Sequence, residues 1–203
     1  ARNPDDALEE LQINKYERIC QKLRLRCGET LVDIGCGFAG LLIYASQRHG
    51  VTGLGVTNSR LHWSHASERV RKAGLADRLT IQLGDFSNVR GRFDKLCSVG
   101  MLEHVPPREF GGFFRKAASL LSPAGLGLVQ AIGLGGADDP RDPFIQQYVF
   151  PGSRQVRLSE IAAQLFISLN TVKTHLASLM AKLDARNRVE ITMWAYETGL
   201  IQS

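Results

Sequence analysis

The residues best placed to do chemistry are a carboxylate and three glycines in one short stretch, Thr30 to Gly40, which reads TLVDIGCGFAG. Gly35, Gly37 and Gly40 follow the spacing G-x-G-x-x-G. In that pattern the first glycine permits a tight turn, the second lets backbone approach a ligand, and the third lets a helix pack on a strand. The amides at the start of the following helix then face whatever is bound. Asp33, two residues before the first glycine, limits what that can be. A carboxylate there repels a pyrophosphate but accepts a cationic or zwitterionic ligand. A plain strand-to-helix turn, with Asp33 only capping the helix, is the alternative. Farther along, Asp85, the pair Glu103-His104 and Gln130 are polar groups at the ends of apolar runs. A glutamate at a strand end in a cleft suits electrostatic or base chemistry, and capping the next helix is its plainer role. His62 and His65 lie one helical turn apart with no third ligand in sight, so they read as surface residues and no metal site is expected.

These groups need strands to carry them and helices to hold the strands together. Leu31 to Ile34 reads as a buried strand, and helical periodicity begins at Leu41 and runs to about His49, where Gly50 is a C-cap. Before it, Asp5 to Leu25 reads as an amphipathic helix with Tyr16, Ile19, Cys20 and Leu23 on one face. Val51 to Thr57 is a second strand, and Ser59 caps a helix whose buried face is Trp63, Ala66, Val70 and Ala73, stopped by Gly74. Leu79 to Leu83 and Phe93 to Val99 are a third and a fourth strand. The helix after Pro107 buries Phe110, Phe113, Phe114, Ala117 and Leu121, and Pro123-Ala124-Gly125 turns it into a fifth strand, Leu126 to Ile132. Such alternation predicts an α/β fold, a Rossmann-like doubly wound parallel sheet. Its ligand belongs at the carboxyl ends of the strands, where Asp33, Thr57, Asp85, Glu103 and Gln130 all fall.

The chain has 203 residues, 44% of them hydrophobic and 22% charged, which suits one large domain or a domain with an appendage. A net charge of +5 is compatible with an anionic membrane surface or with nucleic acid, and the excess is not concentrated in either part of the chain. Cys20, Cys27, Cys36 and Cys97 form no C-x-x-C pair, so neither a disulfide framework nor a zinc site is suggested, and reduced thiols in a cytoplasmic protein are the default. No apolar run approaches the ~20 residues that span a bilayer. The first residue is Ala1 rather than Met, so an upstream segment is expected.

The form D-x-G-x-G-x-x-G resembles the first motif of Rossmann-type methyltransferases, whose ligand, S-adenosylmethionine, carries a sulfonium and an ammonium and no phosphate. In dinucleotide folds an acidic residue about 20 positions beyond the glycines holds the ribose. That place is Thr57-Asn58-Ser59 here, and Asp85 could instead accept the adenine amino group's hydrogen bond, or act as an ordinary turn cap. The run from ELQINKYERICQKLRLRCGETLVDIGCGFAGL through GVTNSR, AGLADRLTIQLGDF, FDKLCSVGMLEHV and LVQAIG to DPFIQQYVFPG resembles the cyclopropane-fatty-acid synthase family over residues 5–160.

That resemblance implies transfer of a methyl group from S-adenosylmethionine to a cis double bond in a phospholipid acyl chain, with a bicarbonate ion serving as base for ring closure. By position, Asp33, Gly35, Cys36 and Gly37 line the methionine part of the cofactor, and Thr57, Ser59, Asp85 and Phe86 hold its ribose and adenine. The family's T-L-S-x-x-Q pattern reads Thr57-Asn58-Ser59-Arg60-Leu61-His62, with His62 in the glutamine's place. Glu103 matches the glutamate of the bicarbonate site, and Gln130 stands where many members have a histidine. The family's bicarbonate-binding cysteine falls upstream of residue 1, and its tyrosine after the FPG segment has no clear counterpart. Cofactor binding is therefore expected to outlast catalysis, with cyclopropanation slow or absent. The lipid substrate implies a cytoplasmic protein, peripheral at the inner membrane face.

After Phe150-Pro151-Gly152 the sequence changes character, and the expected division is a methyltransferase domain at 1–157 and a helical segment at 158–203. LSEIAAQLFISLNTVKTHLASLMAKLDARNRVEITMWAYETGLI resembles the LuxR-type helix-turn-helix of transcription regulators. That resemblance places Lys173 and Thr174 on DNA and makes the last helix a homodimer contact. The first helix of the four-helix module is missing, which favours a packing or dimerisation role. A DNA-binding regulator with a cofactor-sensing or scaffold domain is the alternative function.

Overall fold

The computed structural model describes residues 8–131. Their elements alternate helix and strand except between β3 and β4, which only a 3-10 turn, Phe86–Asn88, separates: α1 (Leu8–Leu23), β1 (Thr30–Ile34), α2 (Gly40–His49), β2 (Thr52–Thr57), α3 (Arg60–Lys72), β3 (Leu79–Leu83), β4 (Phe93–Val99), α4 (Phe110–Ser119) and β5 (Leu121–Gln130). Of the two compact units into which the chain divides, the one from Ile13 to Arg157 holds all five strands. They form one parallel sheet in the order β3-β2-β1-β4-β5. The chain winds outward from β1 to β3, then returns to lay β4 on the other side of β1. That reversal opens a crevice between the carboxyl ends of β1 and β4.

Local chemistry sets the element boundaries. Gly50 takes the left-handed conformation (φ 71°) and its N–H closes on the Ser46 carbonyl, ending α2. Ser59 Oγ accepts from the His62 N–H at 3.2 Å, starting α3. Side chains alternate across each strand, so Leu31 and Cys97 face the layer built by Ile19, Cys20 and Leu23 of α1, Leu42 and Ala45 of α2, and Ala66 and Val70 of α3. Val32 and Leu96, register partners, project from the opposite face, and α4 buries Phe110, Phe113 and Ala117.

Phe114 of α4 and Ala73 at the end of α3 are half-buried rather than part of the buried faces expected of them, and two larger expectations change. Trp63 is 39% exposed rather than in the buried face of α3, because its Nε1 donates to the Ile81 carbonyl of β3 at 3.1 Å. Leu121 opens β5 instead of closing α4, and Leu120 is the buried residue at the helix end. The Pro123-Ala124-Gly125 turn lies inside β5 as a bulge: Phe93 pairs with Leu121 and Lys95 with Leu126. Ser122 Oγ pins the bulge to the Phe93 carbonyl at 2.8 Å. A Cβ at Gly125 would stand 2.9 Å from the Ser122 carbonyl oxygen, so the tight fold-back requires glycine. Among the described residues no helix is long and apolar enough to cross a membrane.

Candidate functional site

The glycine stretch leaves β1 at Ile34 and folds back over β2, where the N–H groups of Gly35 and Cys36 both donate to the Val56 carbonyl, at 2.9 and 3.0 Å. Gly35 and Gly37 have φ of 79° and 51°, the left-handed region that favours glycine. Their surroundings differ. A Cβ on Gly35 would sit 2.8 Å from Met101 Cγ, so Met101 packs directly on the first glycine, whereas among the described residues nothing lies within 4 Å of the corresponding point on Gly37. The second glycine therefore presents bare backbone to open space, which is what close approach of a ligand requires. The third has a role the motif does not convey: at Gly40 the side-chain space is taken by the Tyr16 hydroxyl of α1. Ala39, in the left-handed conformation at φ 58°, is the N-cap of α2 and makes no side-chain cap.

Asp33 sits at the penultimate position of β1 and is only 3% exposed. Burial pushes its carboxyl up to about 6, and the neighbouring Cys97 thiol, its register partner on β4, opposes that rise. Burial, with the Asp33 charge beside it, pushes the Cys36 thiol up to about 12. A thiol held so far up stays as S–H at neutral pH and is no nucleophile there.

Thr57 and Ser59 close the end of β2, Thr57 Oγ1 accepting from the Ser59 N–H at 3.2 Å. Asp85 follows β3 and is exposed; its Oδ1 accepts from the Ser87 N–H at 2.8 Å, capping a 3-10 turn that begins at Phe86. The Phe86 ring stands edge-on to Phe113 at 5.3 Å. His62 is half-buried rather than free on the surface, its ring edge-on to Phe38 of the glycine turn at 4.7 Å. Glu103 is buried in a 3-10 turn, Leu102–His104, two residues beyond Met101. Gln130 ends β5, exposed, its carbonyl accepting from the Gly100 N–H at 2.9 Å.

Asp33, Gly35 and Cys36 thus share one end of β1, with Met101 linking it to the Glu103 turn. Thr57, Ser59 and His62 form a second group along β2 and α3, and Asp85 and Phe86 stand beyond β3. Sequence reasoning missed Met101, Ser98 and Phe38. Ser98 Oγ, buried, donates to the Ile34 carbonyl at 3.0 Å and joins β4 to β1 at the crevice. The polarity of Ser98 inside an apolar strand was the one available signal. Among the described residues no group of three or more His, Cys, Asp or Glu could hold a metal. Lys173 and Thr174, with the whole helix-turn-helix-like segment, lie outside the described residues.

Residues 1–196 match the mycolic acid cyclopropane synthetase family. A probable fatty acid methyltransferase of Pseudomonas putida is 33% identical over 171 residues, covering 81% of this chain and 43% of that protein. The cyclopropane-fatty-acyl-phospholipid synthase of Escherichia coli is 38% identical over 157 residues, covering 77% of this chain and 40% of that enzyme. The match therefore spans less than half the length of these two relatives. A solved cyclopropane synthase from Mycobacterium tuberculosis superposes with a TM-score of 0.72 at 26% identity, covering 85% of this chain and 63% of that one.

Proposed function

This chain belongs to the mycolic acid cyclopropane synthetase family, and we propose that it binds S-adenosylmethionine and methylates unsaturated acyl chains of phospholipids. The observation that carries the reading is the bare, open backbone at Gly37 close in sequence to the buried carboxylate of Asp33. Both features fit a zwitterionic, sulfonium-bearing ligand: the first gives backbone contact and the second gives charge. When bound, S-adenosylmethionine supplies an electrophilic methyl group.

In this reading Asp33, Gly35, Cys36 and Gly37 hold the methionine end. Thr57, Ser59 and His62 hold the ribose, and Asp85 and Phe86 the adenine. Positioning of the acceptor alkene supplies much of the rate, because the reaction needs little activation of its nucleophile. Glu103 would orient a bicarbonate, or stabilise the positive charge that develops on the acceptor chain, with Gln130 as a further polar contact. A phospholipid acceptor puts the protein at the inner membrane face, cytoplasmic and peripheral, where its charge of +5 suits anionic lipid. Residues 158–203 are assigned to packing or homodimerisation. The DNA-binding alternative gains no support from a family match that runs through residue 196.

Calorimetric titration of the protein with S-adenosylmethionine and S-adenosylhomocysteine tests the cofactor site. Gly37→Leu should fold and lose binding; a Gly37→Leu protein that binds normally would refute the site. Incubation with labelled cofactor and unsaturated phospholipid vesicles, followed by mass spectrometry of the lipids, tests the chemistry. Rapid cyclopropanation unaffected by Glu103→Gln would remove Glu103 from the base site.

A further inference from the structure

The carboxylate assigned to the cofactor's positive charge is surrounded by thiols, and the function proposed above uses neither Cys20 nor Cys97. Asp33 and Cys97 are register partners across the parallel pair β1–β4, so both project from the same face of the sheet. On the other side the partner of Asp33 is Gly55, which has no side chain. The space above Gly55 is filled by Cys36, whose Sγ lies 2.9 Å from where a Gly55 Cβ would stand. Cys20 of α1 belongs to the same core cluster as Cys97, and both are fully buried. Among the described residues the titratable groups around Asp33 are thus Cys97 from β4, Cys36 from the turn, and Cys20 from α1 near Cys97; Glu17 of α1 acts on Cys20. Each of the three thiols is held in its neutral S–H form by burial.

We propose that Cys97 is a positioning residue for cofactor binding: its S–H donates to the Asp33 carboxylate and keeps that group charged and fixed in orientation. The proposal rests on the reading of Asp33 as the group that meets the cofactor's positive charge. A thiol is a weak donor in water, but inside a protein the same bond is electrostatically stronger. Asp33 pays a desolvation penalty when charged, and a donor at the adjoining register position, the Cys97 S–H, works against it. Removing the donor would favour the neutral acid, which has no charge to offer a sulfonium or an ammonium. Cys97 therefore sets the acid limit of the pH range over which the cofactor binds.

The test compares wild type with Cys97→Val, similar in shape but without a donor, and Cys97→Ser, which retains one. Two readouts are needed: the Asp33 titration by carboxyl carbon NMR without cofactor, and calorimetric Kd for S-adenosylhomocysteine across pH. In Cys97→Val the Asp33 midpoint should rise by about one pH unit, and binding should weaken about fivefold near pH 6, converging on wild type above about pH 8. Cys97→Ser should keep both close to wild type. If Cys97→Val does not fold, Cys97→Ala is measured in its place. Identical midpoints and binding profiles would overturn the proposal, and so would a loss of affinity equal at every pH, the mark of a merely structural role. A shifted midpoint in a protein whose wild type binds no S-adenosylhomocysteine would overturn the cofactor reading, and with it the role of Cys97, while leaving the thiol–carboxylate bond standing.

Discussion

The Arg69 guanidinium donates to the Phe38 carbonyl at 2.8 Å, tying helix α3 to the turn between β1 and α2. The Phe38 ring is flanked by His62 and by His65, the latter at 5.9 Å. Positions 62, 65 and 69 fall on one helical stripe, so a single face of α3 holds the backbone that presents Gly37. Arg69 is exposed, and its removal should cost the fold little. Arg69→Met should raise the Kd for S-adenosylhomocysteine about fivefold, the equivalent of one hydrogen bond, with Tm nearly unchanged. Calorimetry beside thermal unfolding checks both halves.

Asp33 carries a pH signature in stability as well as in binding. Its carboxyl is raised from 3.8 to about 6 in the folded chain, so the native state holds a proton that the unfolded chain releases between those values. In the absence of ligand, stability should therefore fall as pH rises from about 4 through 6. Asp33→Asn removes the buried charge. It should make the unliganded protein more stable than wild type at pH 7, by about 3 kcal/mol, and no more stable at pH 4. Urea unfolding at several pH values reads the difference, and calorimetry should show that the same variant no longer binds cofactor.

Much of this was legible because the deciding interactions are local. Gly50 as a C-cap, Ser59 as an N-cap, and the limits of β3 and β4 all follow from residues within a turn of one another. The site was less legible where partners are distant. Ser98 and Ile34 are 64 positions apart, and Met101 meets Gly35 across the crevice. Neither has a spacing that a motif could encode. The start of β5 was hidden for a different reason: Pro123-Ala124-Gly125 is turn chemistry, and here the turn is absorbed as a bulge within a strand.

Gly40 and Tyr16 are coupled by space alone. A methyl group at Gly40 would meet the Tyr16 hydroxyl, so Gly40→Ala should destabilise the protein by ~1–3 kcal/mol. Tyr16→Phe removes that oxygen and should recover part of the loss when combined with Gly40→Ala. A double-mutant cycle in denaturant measures the coupling, and additive effects would show that the third glycine is needed for something else.

Thiol reactivity offers a quick check of the interior. Cys27 is exposed, whereas Cys20, Cys36 and Cys97 are buried and free. The native protein should therefore react with Ellman's reagent at one thiol promptly and at the remaining three only on unfolding. Cys27→Ser should abolish the fast phase.

The bond from Trp63 to Ile81 has a consequence beyond the packing of α3. β3 is an outer strand of the described sheet, and such a strand offers its unpaired carbonyls as a template to any extended chain that approaches. By occupying the Ile81 carbonyl and laying an indole along the border, Trp63 denies that template to a second molecule. A half-exposed tryptophan, costly to solubility by itself, thus serves as a guard against aggregation by strand addition.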